Sequence, residues 1–136
     1  MIDSSDALAE LLTLTLTVDQ WGNRIYRNSS GERHRHHGPA VECANGTRRW
    51  YQCDQLHRID GPAMEYADGD KWWHQYGKRH RTDGAAIERA NGDKSWYQYD
   101  QLHRTDGPAI ELANGGKSWW LNGQLLSEKE FHDRLK

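Results

Sequence analysis

The chain is poor in cysteine and proline, and it contains no long apolar run. Cys43 and Cys53 are its only cysteines, and the hairpin pairing derived below does not make them cross-strand partners. We therefore expect no disulfide and a reduced, cytoplasmic setting. Nowhere do 18 apolar residues follow one another, which excludes membrane insertion through a spanning helix.

An excess of positive charge is also missing. The 18 lysines and arginines face 20 aspartates and glutamates, for a net charge of -2, so the totals carry no basic footprint for nucleic acid. Apolar residues make up only 35% of the chain, and the mean hydropathy is -1.06. The 7 tryptophans and 6 tyrosines compensate, because aromatic side chains bury a large area per residue. This balance favours a single domain built as a thin sheet with an aromatic spine.

A period of 23 residues organises most of the chain. The motif His-Arg-x-Asp-Gly-Pro-Ala begins at His34, His57, His80 and His103, with variations in the first and third copies. A strict period of this length indicates an array of one small unit that stacks only on its neighbours. The domain then divides into an N-terminal cap with a degenerate half-repeat, four repeats and a C-terminal cap helix, which span residues 1–33, 34–56, 57–79, 80–102, 103–125 and 126–136.

Two turn signals in each repeat predict an all-β, antiparallel β-meander with two strands per repeat. An Asn-Gly or Asp-Gly pair, such as Asp68-Gly69, is typical of a two-residue hairpin. A second turn, at Tyr76-Gly77 and its equivalents, returns each tryptophan to the histidine of the next repeat. Pairing outward from the first turn sets an aliphatic residue opposite a tryptophan in every repeat, a favourable cross-strand pair. These pairs are Val41 with Trp50, Met64 with Trp73, Ile87 with Trp96, and Ile110 with Trp119.

The two ends of the chain depart from the repeat. Residues 12–18 alternate apolar side chains with threonine, which predicts a half-buried strand, and residues 4–11 form a candidate helix. If that strand is the sheet edge, its free backbone groups favour a homodimer, unless the helix covers the edge and keeps the chain monomeric. At the other end, Ser127 and Glu130 form a capping box, which predicts a short helix that carries Phe131 over the last hairpin.

The stretch from Gly77-Lys78-Arg79-His80 to Asn91-Gly92 resembles the MORN repeat. A glycine, a basic or polar residue, a histidine and a glycine-rich bend precede Asn-Gly on the 23-residue period. With Arg after His and Gly-Pro-Ala in the bend, the chain is similar to a variant of the repeat in small bacterial and phage proteins. The resemblance covers residues 19–125. It implies a scaffold or binding module, and some bacterial relatives are described as antitoxin components.

Histidines that recur in register are better candidates for structure than for chemistry. Equivalent histidines lie two strands apart, about 9.5 Å, which is too far to share one metal ion, so we expect them to brace the bends. His34, His36 and His37 form the densest ligand-like cluster, yet no cysteine or carboxylate lies at a convincing partner spacing. We therefore predict neither a metal nor another cofactor.

The positions that vary between repeats mix aromatic rings with positive charge, as interface cores do. We therefore predict a non-enzymatic module that occludes or scaffolds a protein partner, and the resemblance implies an antitoxin, immunity or phage anti-defence role. The alternative is a ligand-binding or catalytic module that holds a nucleotide or sugar on its Trp-lined face. Lys71, Lys94 and Lys117 share one column, which is either a basic stripe or a solvated face. The predicted partner-binding residues are Arg48, Arg49, Tyr66, Trp72, His74, Tyr76, Arg89, Tyr97, Tyr99 and Trp120.

Overall fold

The computed structural model describes residues 4–136, and short antiparallel strands dominate it. Helix α1 covers Ser4–Leu11 and helix α2 covers Glu128–Arg134. Among the described residues, no helix is long and apolar enough to cross a membrane. The predicted all-β array of hairpins with a C-terminal helix is confirmed. The strands are β1 Thr15–Val18, β2 Arg24–Arg27, β3 Val41–Glu42, β4 Arg48–Arg49, β5 Tyr51–Gln52, β6 Gln55–Leu56, β7 Met64–Glu65, β8 Lys71–Trp72, β9 His74–Gln75, β10 Lys78–Arg79, β11 Ile87–Glu88, β12 Lys94–Ser95, β13 Tyr97–Gln98, β14 Gln101–Leu102, β15 Ile110–Glu111, β16 Lys117–Leu121 and β17 Gln124–Leu126.

The repeats build two parallel rows of hairpins. The first hairpins join an 11-stranded sheet of order β1-β2-β3-β4-β7-β8-β11-β12-β15-β16-β17, and the second form the ribbons β5-β6, β9-β10 and β13-β14. A tryptophan lies at each junction between the rows: the Trp50 amide donates to the Ala63 carbonyl at 2.7 Å, and its carbonyl accepts from the His57 amide at 3.0 Å. The predicted return of each tryptophan to the next histidine is confirmed. In the first three repeats the junction breaks the predicted strand in two, whereas β16 runs unbroken through Trp119.

The predicted cross-strand register is wrong by one residue. The Gly46 amide donates to the Cys43 carbonyl at 2.9 Å, and the Cys43 amide donates to the Thr47 carbonyl at 2.8 Å. These bonds define a three-residue loop, a type I turn followed by a bulge, and Gly46 takes the left-handed conformation at φ 97° that the bulge requires. Relative to a two-residue turn, the extra residue shifts the pairing and moves side chains to the opposite face. The aliphatic residues therefore pair as Val41 with Arg49, Met64 with Trp72, Ile87 with Ser95, and Ile110 with Ser118.

In the last three repeats the motif arginine clamps the bend onto the preceding tryptophan, and in the first repeat Arg35 stacks on Tyr26 at 4.2 Å. The Arg58 guanidinium lies 3.9 Å from the centre of the Trp50 ring, and its Nη1 donates to the Pro62 carbonyl at 3.1 Å. The predicted bracing by Asp60 is confirmed by an ion pair at 3.2 Å. A Cβ on Gly61 would lie 2.8 Å from the Arg58 Cζ, so only glycine leaves room for the clamp. The same arrangement recurs at Arg81 over Trp73 and at Arg104 over Trp96.

The motif histidines support the second turn of their repeat rather than the bend that we expected. The amide of Tyr76 donates to Nδ1 of His57 at 3.0 Å, and Tyr76 adopts the left-handed φ of 52°. The amide of Tyr99 donates in the same way to His80 at 3.2 Å. Because a histidine acceptor fixes the first residue of the turn, a tyrosine can hold a backbone conformation that costs most residues energy. The other two repeats repeat this bond with Cys53 on His34 and Asn122 on His103.

The ends follow the sequence prediction in part. Helix α1 forms over the predicted residues, and Ser127 and Glu130 make the predicted capping box that places Phe131, 1% exposed, against the last hairpin. Strand β1 is shorter than predicted and exposed at all four positions, so the expectation of a half-buried strand is wrong. Leu16 and Val18 are 40% and 57% exposed. Within the described chain β1 pairs with β2 alone, so its outer edge is open.

Candidate functional site

One face of the long sheet carries a ladder of alternating charges. Residues opposite one another on antiparallel strands share a face. Glu65 lies opposite Arg48 on one neighbouring strand and opposite Lys71 on the other. Arg48 donates to Glu65 at 2.7 Å. The predicted basic column of lysines is therefore interleaved with glutamates, so it is not a basic stripe. The ladder consists of Arg24, Glu42, Arg48, Glu65, Lys71, Glu88, Lys94, Glu111 and Lys117.

The opposite face gathers five of the predicted binding residues near the middle of the array. Arg49 and Trp72 lie in one row, on either side of Met64. The Trp72 ring packs edge-on against Tyr66, with centroids 6.0 Å apart, and stacks on His74, with centroids 6.3 Å apart and planes within 2°. The Arg89 guanidinium lies over Trp72 at 5.5 Å. We call Arg49, Tyr66, Trp72, His74 and Arg89 the aromatic–basic cluster.

Three buried nitrogen atoms of this cluster have no hydrogen-bond partner. They are Nε of Arg49, Nε1 of Trp72 and Nδ1 of His74. In the described part of the chain, the side chain of Arg49 has neither a hydrogen-bond nor an ion-pair partner. A buried donor without an acceptor costs about 1–3 kcal/mol, so this face holds unused hydrogen-bonding capacity that a ligand can satisfy.

His74 is the most deeply buried member of the cluster, with 6% exposure. Burial lowers the pKa of its imidazole below the ordinary value of 6.5, while the nearby charges of Asp100 and Arg79 act in opposite directions. The ring is therefore neutral at pH 7. A neutral imidazole carries one donor and one acceptor, so the positive charge of this face comes from its arginines.

The other predicted residues lie outside the cluster. Arg48 belongs to the charged ladder. Tyr76 and Tyr99 occupy the second turns, where they are 66% and 59% exposed and pack on motif histidines. Arg79 lies 4.2 Å over the ring of Tyr97, and the indole nitrogen of Trp120 donates to the Ser118 hydroxyl at 2.9 Å. These four aromatic residues belong to the second row of hairpins or to its continuation in the last repeat.

A row of troughs between successive bends was missed in the sequence. Each trough is lined by the junction tryptophan, a glutamine two residues later and the next motif histidine; the first, of about 750 Å³, contains Trp50, Gln52 and His57, with His37 and Tyr76 at its sides. The register of tryptophan, glutamine and histidine was visible in the first three repeats, but their convergence depends on the bend. The later troughs, of about 540 and 600 Å³, contain Trp73, Gln75 and His80, and Trp96, Gln98 and His103.

The histidine cluster of the first repeat gains a carboxylate that sequence spacing did not reveal. Glu10 accepts hydrogen bonds from the amides of His36 and His37 at 2.6 and 2.9 Å, and ligand atoms of Glu10, His34 and His36 lie within 4.8 Å of one another. Nδ1 of His34, however, accepts the Cys53 amide, so the neutral ring carries its proton on Nε2. A metal on Nε2 would require that proton on Nδ1, and the hydrogen bond to the turn would break.

No protein-family model matches this chain, and no curated protein matches it. An assignment of function therefore depends on the residues themselves. In the described chain, two features are candidates for a binding site. They are the aromatic–basic cluster, with its unpartnered donors, and the troughs between the bends.

Proposed function

We propose that the protein is a non-enzymatic, MORN-like binding module that docks a protein partner on its aromatic–basic cluster. The observation that carries the proposal is the set of unpartnered buried nitrogens at the centre of a face rich in aromatic rings. Tryptophan, tyrosine and arginine dominate the energetic centres of protein interfaces. An antitoxin, immunity or anti-defence protein, which occludes the working surface of another protein, needs a patch of this kind.

The recurring residues support a scaffold because each has an internal partner. In the third repeat, Arg81 stacks on Trp73 at 3.8 Å and pairs with Asp83 and Glu88, and His80 accepts from the turn. A general acid or nucleophile must instead face its substrate. We therefore assign these residues to stability, and partner recognition to positions that vary between repeats.

Charge supports a protein partner over nucleic acid. The lysines of the ladder alternate with glutamates, so they form no continuous cationic path for a phosphate backbone. The net charge of the chain is -2. A partner with alternating apolar and acidic side chains complements the aromatic–basic cluster better than a uniform polyanion does.

Site-specific photo-crosslinking in the native host tests this function. A photoreactive phenylalanine analogue at Tyr66 should crosslink one protein, and the same analogue at Lys94, on the opposite face, should not. The reversal Arg49→Glu should abolish the Tyr66 product, whereas Lys94→Glu should leave it unchanged. Crosslinking from position 94 alone, or equal products from both positions, contradicts a docking site on the aromatic–basic cluster.

A second candidate function is favoured by the first trough. Its volume of about 750 Å³ is that of a small-molecule site, and the ring of Tyr76 packs on His57 at 4.5 Å to form an aromatic wall. A nucleotide base or a sugar ring would fit against this wall. Saturable binding of such a ligand, lost in Tyr76→Ala and retained in Tyr99→Ala, would favour this function over protein docking.

We also propose that two copies associate through strand β1. Its four residues are exposed, and its outer edge has no strand partner within residues 4–136. An exposed edge with apolar side chains is a template for pairing with a second strand. A dimer about a twofold axis would continue the sheet and present two copies of the aromatic–basic cluster.

A further inference from the structure

The aromatic–basic cluster contains two donors that have no acceptor. The Arg49 Nε–H and the Trp72 Nε1–H are both unpartnered, and both groups can only donate a hydrogen bond. The neutral His74 stacked on Trp72 is nine-tenths buried, and its Nδ1 is unpartnered as well. A hydrogen-bond acceptor is therefore missing beside Arg49 and Trp72.

The charge on this face requires an anionic acceptor. No carboxylate of the described residues pairs with Arg49, and Arg89 shares Asp70 only at 3.6 Å. A half-buried guanidinium without a counterion is costly, and a charged partner restores the balance. The side chain of Arg89 is 46% exposed and lies over the Trp72 ring, so a partner that displaces it gains access to the indole.

The surroundings of the donors favour a protein carboxylate over a phosphate. Arg49 and Trp72 lie on either side of Met64, and Tyr66 packs against Trp72, so apolar surface borders the charged group. An acidic segment of a protein offers carboxylates and apolar side chains in alternation. A nucleic acid offers one phosphate after another, whereas the aromatic–basic cluster contributes two guanidinium groups, those of Arg49 and Arg89.

We propose that the aromatic–basic cluster binds an acidic, partly apolar segment of a protein partner, whose carboxylates accept hydrogen bonds from Arg49 and from the Trp72 indole. The inference rests on the proposed docking function and names the chemistry of its partner. In this proposal Arg49 selects for the carboxylate, and the rings of Tyr66 and Trp72 supply the apolar contact area.

Nuclear magnetic resonance of the full-length, ¹⁵N-labelled protein tests the proposal. The probe is a blocked peptide of alternating glutamate and leucine, and the control is its glutamine counterpart. The indole proton of Trp72 should shift downfield and saturate with the glutamate peptide alone. That of Trp120 should stay in place, because it already donates to Ser118.

Two variants check the assignment of the donors. Arg49→Gln should lower the affinity for the glutamate peptide by about tenfold or more, the effect of losing one charge-assisted hydrogen bond. Lys94→Gln should leave that affinity within about twofold of the wild type. A Trp72 signal that ignores the glutamate peptide overturns the proposal. Three other results overturn it as well. They are an equal shift with the glutamine peptide, a shift with inorganic phosphate or an oligothymidine but not with the glutamate peptide, and an unchanged peptide affinity in Arg49→Gln.

The outcomes separate this inference from the proposed function. If Tyr66 crosslinks a protein while Trp72 ignores the peptide, the docking face stands and the acidic partner is wrong. If Trp72 binds the peptide while no protein crosslinks, the carboxylate site stands and the docking function is wrong.

Discussion

Removing the guanidinium of Arg81 should destabilise the fold far more than removing that of Arg89 in the same repeat. Arg81 lies 3.8 Å over Trp73, and its side chain is only 20% exposed. A partly desolvated cation–π contact is worth about 1–2 kcal/mol. Its Nη1 also donates to the buried carbonyl of Ala85 at 3.0 Å, and orphaning that acceptor costs about 1–3 kcal/mol.

The ion pairs of Arg81 add less. Asp83 is 82% exposed, so water and salt screen that pair, and the 32% exposed Glu88 gives a somewhat stronger one. We expect Arg81→Ala to lower the free energy of unfolding by about 3–4 kcal/mol. Arg81→Lys should lose about half of this, because an ammonium cannot stack and donate in two directions at once.

Urea denaturation of the whole chain, followed by tryptophan fluorescence and circular dichroism with the slope checked for each variant, measures these differences. The control is Arg89→Ala. Its side chain is 46% exposed, its carboxylate partner lies at 3.6 Å and its ring contact at 5.5 Å, so it should cost less than about 1 kcal/mol. Equal losses for the two alanine variants, or a lysine variant as stable as the wild type, would refute the proposed clamp.

Three further predictions follow from the repeat. Gly84→Ala places a Cβ 2.9 Å from the Arg81 Cζ, so its cost should largely vanish when Arg81→Ala is already present; additive losses in the double-mutant cycle would count against this contact. Burial lowers the pKa of His80, whose neutral Nδ1 accepts the Tyr99 amide; stability should be complete above about pH 6.5 and fall as the pH drops below that value, because the unfolded chain binds the proton more readily. Denaturation between pH 7.5 and 5 should show a shallower loss in His80→Gln, and an equal slope would exclude His80 as the cause. Sedimentation equilibrium should find a dimer that Leu16→Pro weakens, because the Leu16 amide faces the open edge of β1; a wild type that stays monomeric at high concentration would rule out pairing there.

The sequence was enough to predict the hairpin array and both end helices. A strict period and the glycine-containing turns report local chemistry, and the capping box of Ser127 and Glu130 needs only four residues. The bracing of each bend, such as Arg58 with Asp60, could be predicted for the same reason. Interactions within a few residues are thus readable before the fold is known.

The register could not be predicted because the Asn-Gly and Asp-Gly dipeptides are compatible with two types of hairpin turn. Asn45-Gly46 is typical of a two-residue hairpin, yet glycine in the left-handed conformation also completes the three-residue loop observed here. The difference of one residue decides whether Met64 faces Trp72 or Trp73. The interleaving of glutamate with the lysine column follows from the same register, and so it was also hidden.

The aromatic–basic cluster could be predicted only as a set of variable positions. Tyr66, Trp72 and His74 were candidates because they depart from the repeat, but their convergence depends on alternation along β8 and β9 and on pairing across the sheet. Contacts between distant segments were invisible for the same reason. Glu10 reaches the amides of His36 and His37 across more than one repeat length.

The division between recurring and variable residues has a physical cause. In an array, each unit must present the same surface to its neighbours, so the residues that join units are fixed by stacking and have little freedom to recognise a partner. Ala63 and Ala86 are fully buried, and the arginine above each bend is held by its ring and its carboxylates. Recognition then falls to side chains that face solvent between these fixed points. Arg49 stands where the third and fourth repeats have Ser95 and Ser118. This one substitution within the repeat places a guanidinium without a carboxylate partner on the face of the aromatic–basic cluster.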